Sequence, residues 1–282
     1  MILSFVIPSI LDERIYQCVN SVLDSISWRS KDCELIIVVN GPYEIFFQSL
    51  LKSFNKQVKL FFTKEKNIAK ARNIGIRQAR GKFIIHIDSD CVVNRHYTLN
   101  LRRHIKKQEF CLARGKINFK PNQNWFSKLN CQLRNDIYSK KLEKCFTPNL
   151  IVQRQLYEIF GLFEEKLFYG EDAEWGYRVD VNQFSLLHFS DLIVIHYDDL
   201  NPLKTLIGWI HYGIGRSFRM RKAKYFKGVM GKGKPYYKDR QGYHVLNDYE
   251  SISLYLFMIV FKIMNKIGGI IGFLKWRKKS FQ

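Results

Sequence analysis

Asp88-Ser89-Asp90 is the stretch of the chain best equipped for chemistry, because it follows Lys82-Phe83-Ile84-Ile85-His86-Ile87, a run that reads as a buried strand. Both carboxylates are therefore expected at a strand's carboxyl end, in a ligand crevice. Two neighbouring carboxylates call for a cation. A hard divalent ion such as Mg²⁺ or Mn²⁺ takes oxygen ligands and keeps positions open, so Asp-x-Asp at a strand end suits a bridge between a metal and a nucleotide diphosphate. Acidic triplets are common in loops, and the assignment rests on its surroundings. His196 closes the run Leu192-Ile193-Val194-Ile195 and reads either as a further metal ligand or as a hydrogen-bonded structural histidine. His86, inside the strand, reads as a core residue.

The elements that must position these groups alternate along the first half. Leu3–Ile7 reads as a strand, followed by helical spacing from Asp12 to Ile26 (Ile15, Val19, Val22, Leu23, Ile26). A second strand, Glu34–Asn40, stops at Asn40-Gly41-Pro42, and a helical stretch from Tyr43 to Phe54 and a third strand, Val58–Thr63, come next. Asn67 is placed to cap a helix that runs to Ala79, with Gly81 expected as its left-handed terminator before the fourth strand. This βα repetition predicts an α/β fold with a mainly parallel central sheet flanked by helices, its ligands beyond the carboxyl ends of the strands. Past Phe119 the pattern loosens. Pro121–Asn124 reads as a linker, a helix extends to Glu143, and strand-like runs return at Phe184–Phe189 and Leu192–Tyr197.

The composition, 46% hydrophobic and 15% aromatic over 282 residues, excludes a disordered chain. Net charge is +21 and unevenly spread: beyond Leu200 stand 17 Lys and Arg against three acids. Such a segment attracts anionic partners, among them lipid headgroups, a pyrophosphate-linked acceptor or nucleic acid, or it serves as a solvated basic surface. The six cysteines form no C-x-x-C pair and read as reduced thiols. The opening Leu3-Ser4-Phe5-Val6-Ile7-Pro8 lacks the form of a secretory signal, which together with the thiols leads us to expect a cytoplasmic protein.

Asn67-Ile68-Ala69-Lys70-Ala71-Arg72-Asn73-Ile74-Gly75-Ile76, continuing through Gly81 to the acidic triplet, resembles the nucleotide-binding half of family 2 glycosyltransferases of the GT-A fold. Phe5-Val6-Ile7-Pro8-Ser9 and Val38-Val39-Asn40-Gly41 are similar too, and Leu162 through Gly170-Glu171-Asp172 resembles the family's catalytic Glu-Asp segment. The resemblance covers about Met1 to His196. It implies an inverting, metal-dependent transfer from a nucleotide-sugar donor to a hydroxyl acceptor, a saccharide or lipid-linked envelope component. It further implies donor contacts from Pro8, Ser9, Asn40, Arg72, Asp88, Ser89 and Asp90, and a Mn²⁺ or Mg²⁺ ion held by Asp90, Asp88 and His196. Asn40 stands where many relatives carry Asp, which leaves the base open. Asp172 would be the general base, taking the acceptor's proton, with Glu171 and Trp175 touching the acceptor. Asp172 also suits an N-terminal cap for a helix beginning at Ala173, and Arg72 a helix-surface position.

Residues 1–200 are accordingly expected to form the catalytic domain, with 1–119 as the nucleotide-sugar half and 120–200 as the acceptor half. Residues 201–282 form a basic helical C-terminal extension, interrupted by a basic loop from Lys227 to Pro235. Ile252–Trp276 is too interrupted by Lys262, Asn265, Lys266 and Lys275 to span a bilayer. It reads either as an in-plane amphipathic helix on the inner face of an anionic membrane, or as a helix packed on the catalytic domain. The chain lacks the glycine-rich fingerprints of dehydrogenases and P-loop enzymes. A nucleic-acid-binding protein, with Tyr236, Tyr237, Tyr243 and Tyr249 among the basic residues, is the alternative from another class, and it leaves the acidic crevice without a purpose; a catalytically inactive sugar-nucleotide-binding relative is the other, against which the intact Asp88, Asp90 and Asp172 stand.

Overall fold

Leu3–Ser9 forms β1, and all seven of its residues are buried. Successive side chains of a strand point to opposite faces, so Phe5 and Ile7 enter one core while Val6 enters the other. A computed structural model describes residues 3–10, 13–26, 32–41, 58–140, 144–167, 169–180, 185–197, 201–230 and 252–276. The helix expected at Tyr43–Phe54 and most of the basic loop lie outside them.

The described elements after β1 are α1 (Ile15–Ser25), β2 (Cys33–Asn40), β3 (Val58–Thr63), α2 (Ile68–Gln78), β4 (Phe83–His86), β5 (Cys91–Val93) and α3 (Tyr97–Lys107). They continue with β6 (Leu112–Lys120), α4 (Trp125–Lys140), a short 3-10 turn at Thr147–Asn149, β7 (Leu150–Gln153), α5 (Gln155–Phe160), α6 (Glu171–Asp180), β8 (Leu187–Tyr197), α7 (Pro202–Met230) and α8 (Ile252–Trp276). The eight strands make one sheet in the order β3-β2-β1-β4-β7-β6-β8-β5.

The first four strands are mutually parallel. The sheet is mixed beyond them, with β7 antiparallel to β4 and β6, β6 parallel to β8, and β5 antiparallel to β8. Helices cover both faces, as continuous apolar strands require. Ile15, Val19 and Val22 of α1 and Tyr97 and Leu101 of α3 pack on one side, and Ala69, Ala71 and Ile76 of α2 with Trp175 of α6 on the other. Each fully buried large apolar side chain contributes about 1.5–3 kcal/mol.

Several local expectations change. Helix α2 does not end on a left-handed Gly81. Ala79 leaves it in extended conformation, and Arg154 donates to the carbonyls of Ala79 and Gly81, doing from across the fold what a glycine cap would do locally. The two strand-like runs at 184–197 are one strand whose pairing with β6 shifts register between Gly115 and Lys116. The first four residues of the expected basic loop are helical, since α7 reaches Met230.

The C-terminal helices pack on each other and on the domain. Gly268 of α8 lies so close to the backbone of Ile210 in α7 that any side chain would collide. Trp209 and Phe257 meet edge to face at 5.1 Å, and Phe126 of α4 meets Phe257 at 4.9 Å. None of the helices, among the described residues, is long and apolar enough to cross a membrane.

Candidate functional site

The carboxyl ends of β2, β1 and β4 lie side by side at one edge of the sheet, and the acidic triplet is the turn between β4 and β5. Pro8 and the 1% exposed Ser9 end β1, the Ser9 hydroxyl donating to the Ile10 carbonyl at 2.8 Å. Asn40 ends β2 almost buried, and its Oδ1 accepts no hydrogen bond. A buried amide oxygen without a donor is costly unless a ligand supplies one. Asp88, Ser89 and Asp90 are all half-buried.

Helix α2 is a platform for the rest. Asn67 caps it, accepting from Lys70 N at 3.0 Å, and donates through Nδ2 to the Glu165 carbonyl at 2.6 Å. Asn73 accepts from Phe163 N at 3.0 Å and donates to the Phe163 carbonyl at 2.9 Å. Gly75 sits over Val6 with no room for a Cβ, which brings the helix down onto β1. The loop leading into α6 is thereby held by α2. Asn73 was not among the sequence-read site residues, and its position beside Arg72 in the motif was the available signal.

Arg72 is 1% exposed. Its guanidinium donates to Asp88 Oδ1 at 2.6 Å and, on its other nitrogen, to Glu171 Oε1 at the start of α6. Two sequence readings are corrected here. Arg72 is neither a helix-surface arginine nor open to a diphosphate, because both arms meet carboxylates, and Glu171 faces this cation instead of an acceptor. Burial pushes the Glu171 carboxyl up to about 7 against the pull of Arg72, with Asp172 adding to the rise. Burial works against the charge on Arg72, but Asp88, Glu171 and Asp172 outweigh it and hold the guanidinium firmly protonated.

Asp172 lies in the first turn of α6, half-buried. Its Oδ1 accepts from Ala173 N at 2.6 Å, while Oδ2 lies 3.4 and 3.5 Å from the amide and hydroxyl of Thr147. The helix begins at Glu171, one residue ahead of Asp172, so this carboxylate lies inside the first turn and not at the cap position. Trp175 is corrected outright. It is fully buried against Tyr157 and Phe163, with its indole N–H donating to the Gly161 carbonyl at 2.8 Å, so it supports α6 from beneath and offers no surface to an acceptor.

On the other arm of the turn, Asp90 meets His196. Antiparallel pairing sets Cys91 of β5 directly opposite His196 of β8, and directly opposed residues share a face. His196 Nε2 lies 3.5 Å from Asp90 Oδ1, and the Cys91 thiol donates to the same oxygen at 3.7 Å. One ligand atom from each of the three falls within 4.8 Å of the others, the one such group among the described residues, and the spacing suits a divalent cation. Asp88 is outside it, so the cluster is Asp90, Cys91 and His196 in place of the expected Asp88, Asp90 and His196. Arg14, not anticipated from sequence, stands 3.8 Å from Asp90 Oδ2 and donates to the Tyr197 carbonyl at 2.8 Å. His86 is fully buried in β4, paired with the Tyr157 hydroxyl at 2.6 Å, as a core residue should be.

Comparison with known proteins places this geometry. Residues 4–160 match the model of a family described as glycosyl transferase family 2. Glycosyltransferase AglE of Haloferax volcanii is 28% identical over 194 residues, which are 65% of this chain and 62% of that protein, so the match spans less than two thirds of the relative. Among solved structures, S. aureus TarS 1-349 in complex with UDP-GlcNAc superposes with a TM-score of 0.59 at 14% identity, covering 100% of this chain and 93% of that one. The mannosyltransferase PcManGT of Pyrobaculum calidifontis, in complex with GDP-Man and Mn²⁺, superposes with a TM-score of 0.62 at 10% identity, covering 99% and 76%. At these identities the structural matches speak for the fold, a GT-A arrangement.

Proposed function

The chain belongs to glycosyl transferase family 2, and from that premise we propose that it moves a sugar, with inversion, from a nucleoside-diphosphate donor to a hydroxyl of a saccharide or lipid-linked acceptor. The observation that carries this reading is Arg72. One buried cation joins Asp88, on the turn that would face the donor, to Glu171, the neighbour of Asp172. Donor turn and base-bearing helix are thus fixed in one unit, as a displacement between two substrates requires.

Asn40 takes the base, its Oδ1 accepting from a ring N–H, and Pro8 and Ser9 border the nucleoside. Asp172 accepts the acceptor's proton as its oxygen attacks the anomeric carbon, and the bond to the diphosphate breaks on the opposite face. Asp90 and His196 are the groups that would hold a divalent ion, Mn²⁺ or Mg²⁺. The chemistry such an ion would supply there is neutralisation of the departing nucleoside diphosphate's charge. UDP-GlcNAc and GDP-Man, bound by the structural neighbours, make uridine and guanosine donors the first to test.

The acceptor side of the reading is a membrane surface. Val260, Ile263, Ile267, Ile270, Ile271 and Leu274 of α8 are all at least 40% exposed and fall within one arc of about 100° at helical spacing. Phe273, 54% exposed, and Lys266 flank that arc on one side and Lys262 follows further round, an apolar face edged by basic residues as in helices that lie in a bilayer interface. A peripheral position on an anionic membrane would bring the crevice to a lipid-linked acceptor. Co-sedimentation with anionic vesicles at moderate salt tests it, and its absence there would remove this part.

The catalytic reading is tested by screening nucleotide-sugars for Mn²⁺-dependent turnover. Asp172→Asn is expected to lower turnover by about 10²–10⁴-fold while donor binding persists. Undiminished turnover in that variant, or retention of configuration at the anomeric carbon by NMR, would overturn the single-displacement mechanism.

A further inference from the structure

Cys91 is fully buried on the rim of the main core, and its sulfur also reaches a polar neighbour, lying 3.7 Å from Asp90 Oδ1. Its neighbours Asp90 and His196 offer an oxygen and a nitrogen, and β5–β8 pairing holds the sulfur on the same face as the imidazole. Ions of the Mn²⁺ and Mg²⁺ type are indifferent to sulfur, whereas borderline-soft ions such as Zn²⁺ and Co²⁺ seek thiolate and imidazole together. Oxygen, sulfur and nitrogen donors gathered within 4.8 Å of one another are the kinds of ligand atom that a tetrahedral zinc site draws together.

We propose that Cys91 is a metal ligand, and that Asp90, Cys91 and His196 form a mixed site which takes a Zn²⁺-class ion through the Cys91 thiolate. The proposal rests on the reading that Asp90 and His196 face the donor's cation, and it adds a selectivity that the acidic triplet alone would not have. Binding exchanges the thiol proton for the metal: the sulfur–hydrogen bond breaks, a sulfur–metal bond forms, and the proton leaves to solvent. Arg14 approaches Oδ2 of Asp90 while the cluster forms around Oδ1, so the cation and the arginine occupy different edges of one carboxylate.

The test is a Co²⁺ titration of the full chain under a non-thiol reductant, read by near-ultraviolet absorbance. A thiolate-to-cobalt charge-transfer band that saturates at one equivalent is expected. Cys91→Ser should abolish the band and weaken Zn²⁺ binding by at least about tenfold, the smaller cost seen even for groups one shell further out. Mn²⁺ affinity, read by electron paramagnetic resonance, should change little. Cys18→Ser, which removes the other buried thiol beside the turn, should leave the band intact. Zinc X-ray absorption on the unsubstituted chain, which needs no variant to fold, should show one sulfur at about 2.3 Å. Cobalt bound without a charge-transfer band, or zinc without a sulfur neighbour, would overturn the role of Cys91 while the donor-cation reading stands. Failure of Co²⁺, Zn²⁺ and Mn²⁺ alike to bind would remove both.

Discussion

The two arms of the acidic turn solve the same electrostatic problem differently. Asp88 faces a cation that the chain itself supplies, Arg72, which is buried and shared with Glu171. Asp90, two residues on, faces an imidazole and a thiol, with Arg14 only at 3.8 Å on its far edge. One arm is closed from within and fixes architecture. The other is arranged around a position that an added cation fits. In this chain the two carboxylates of the Asp-x-Asp triplet are therefore not equivalent: Asp88 is held by a buried arginine, and Asp90 stands among the groups that we propose for the donor's cation.

The largest expected effect breaks the closed arm. Arg72→Met leaves Asp88 and Glu171 facing each other in a buried place without their cation, and losing one partner of a buried pair costs about 3–5 kcal/mol. Chemical denaturation should report that loss, and Arg72→Lys, which keeps the charge but not the two-armed reach, should recover only part of it. If Arg72→Met unfolded at the same denaturant concentration as the parent, the closed arm would not be structural.

The open arm should behave in the opposite way. Asp90→Asn touches a half-exposed side chain, so stability should move by less than about 1 kcal/mol, while metal-dependent nucleotide affinity falls by about 10–100-fold in calorimetry with UDP or GDP. Equal losses of nucleotide affinity in Asp90→Asn and in a folded Asp88→Asn would erase the asymmetry.

Much of this was legible in sequence, and the remainder has a physical reason for being hidden. An apolar run that stops at two acids reads as a strand ending at a polar turn, and the Asn67 cap is a contact across three residues. Arg72 and Glu171 are 99 residues apart, and nothing local says that they meet. Glu171 and Trp175 are four apart and share a helix face, but spacing does not say whether that face looks inward or outward. Here it looks inward, which turned two expected acceptor contacts into supports. Cys91 was visible as a cysteine and invisible as a neighbour of His196, because strand register set that pairing.

A smaller effect sharpens the closed arm through pH. Glu171 sits at about 7 in the folded chain against 4.5 for an ordinary glutamate, raised by burial. A raised folded value favours the protonated form, so its contribution is complete below about pH 4.5 and is lost as pH rises through 7. Thermal midpoints should therefore decline between those values, and Glu171→Gln should flatten that part of the curve. A slope unchanged in the variant would assign the titration to another group.

The smallest effect carries the comparison to the other end of the sheet. Near its amino end Glu34 is buried, and it too is satisfied from within: Oε1 accepts from the Ser4 hydroxyl at 2.6 Å and from Arg80 N, and Oε2 from Lys59 at 2.7 Å. Burial would raise its pKa, but Lys59, Ser4 and the Arg80 amide together hold it below the ordinary value. A lowered folded value means stability that is present above about pH 4.5 and lost as acid protonates the folded carboxylate. Lys59 leads the lowering, and because it is 36% exposed its charge is partly screened, so its share of the stability is discounted beside that of the buried Ser4 and Arg80 donors. Glu34→Gln should then cost about 1–2 kcal/mol at neutral pH, converge with the parent in acid, and leave Mn²⁺ and nucleotide affinity unchanged. That last result separates the two kinds of carboxylate: Glu34, held by donors at the amino end of the sheet, should affect folding alone, whereas Asp90, at the carboxyl end, should affect a ligand.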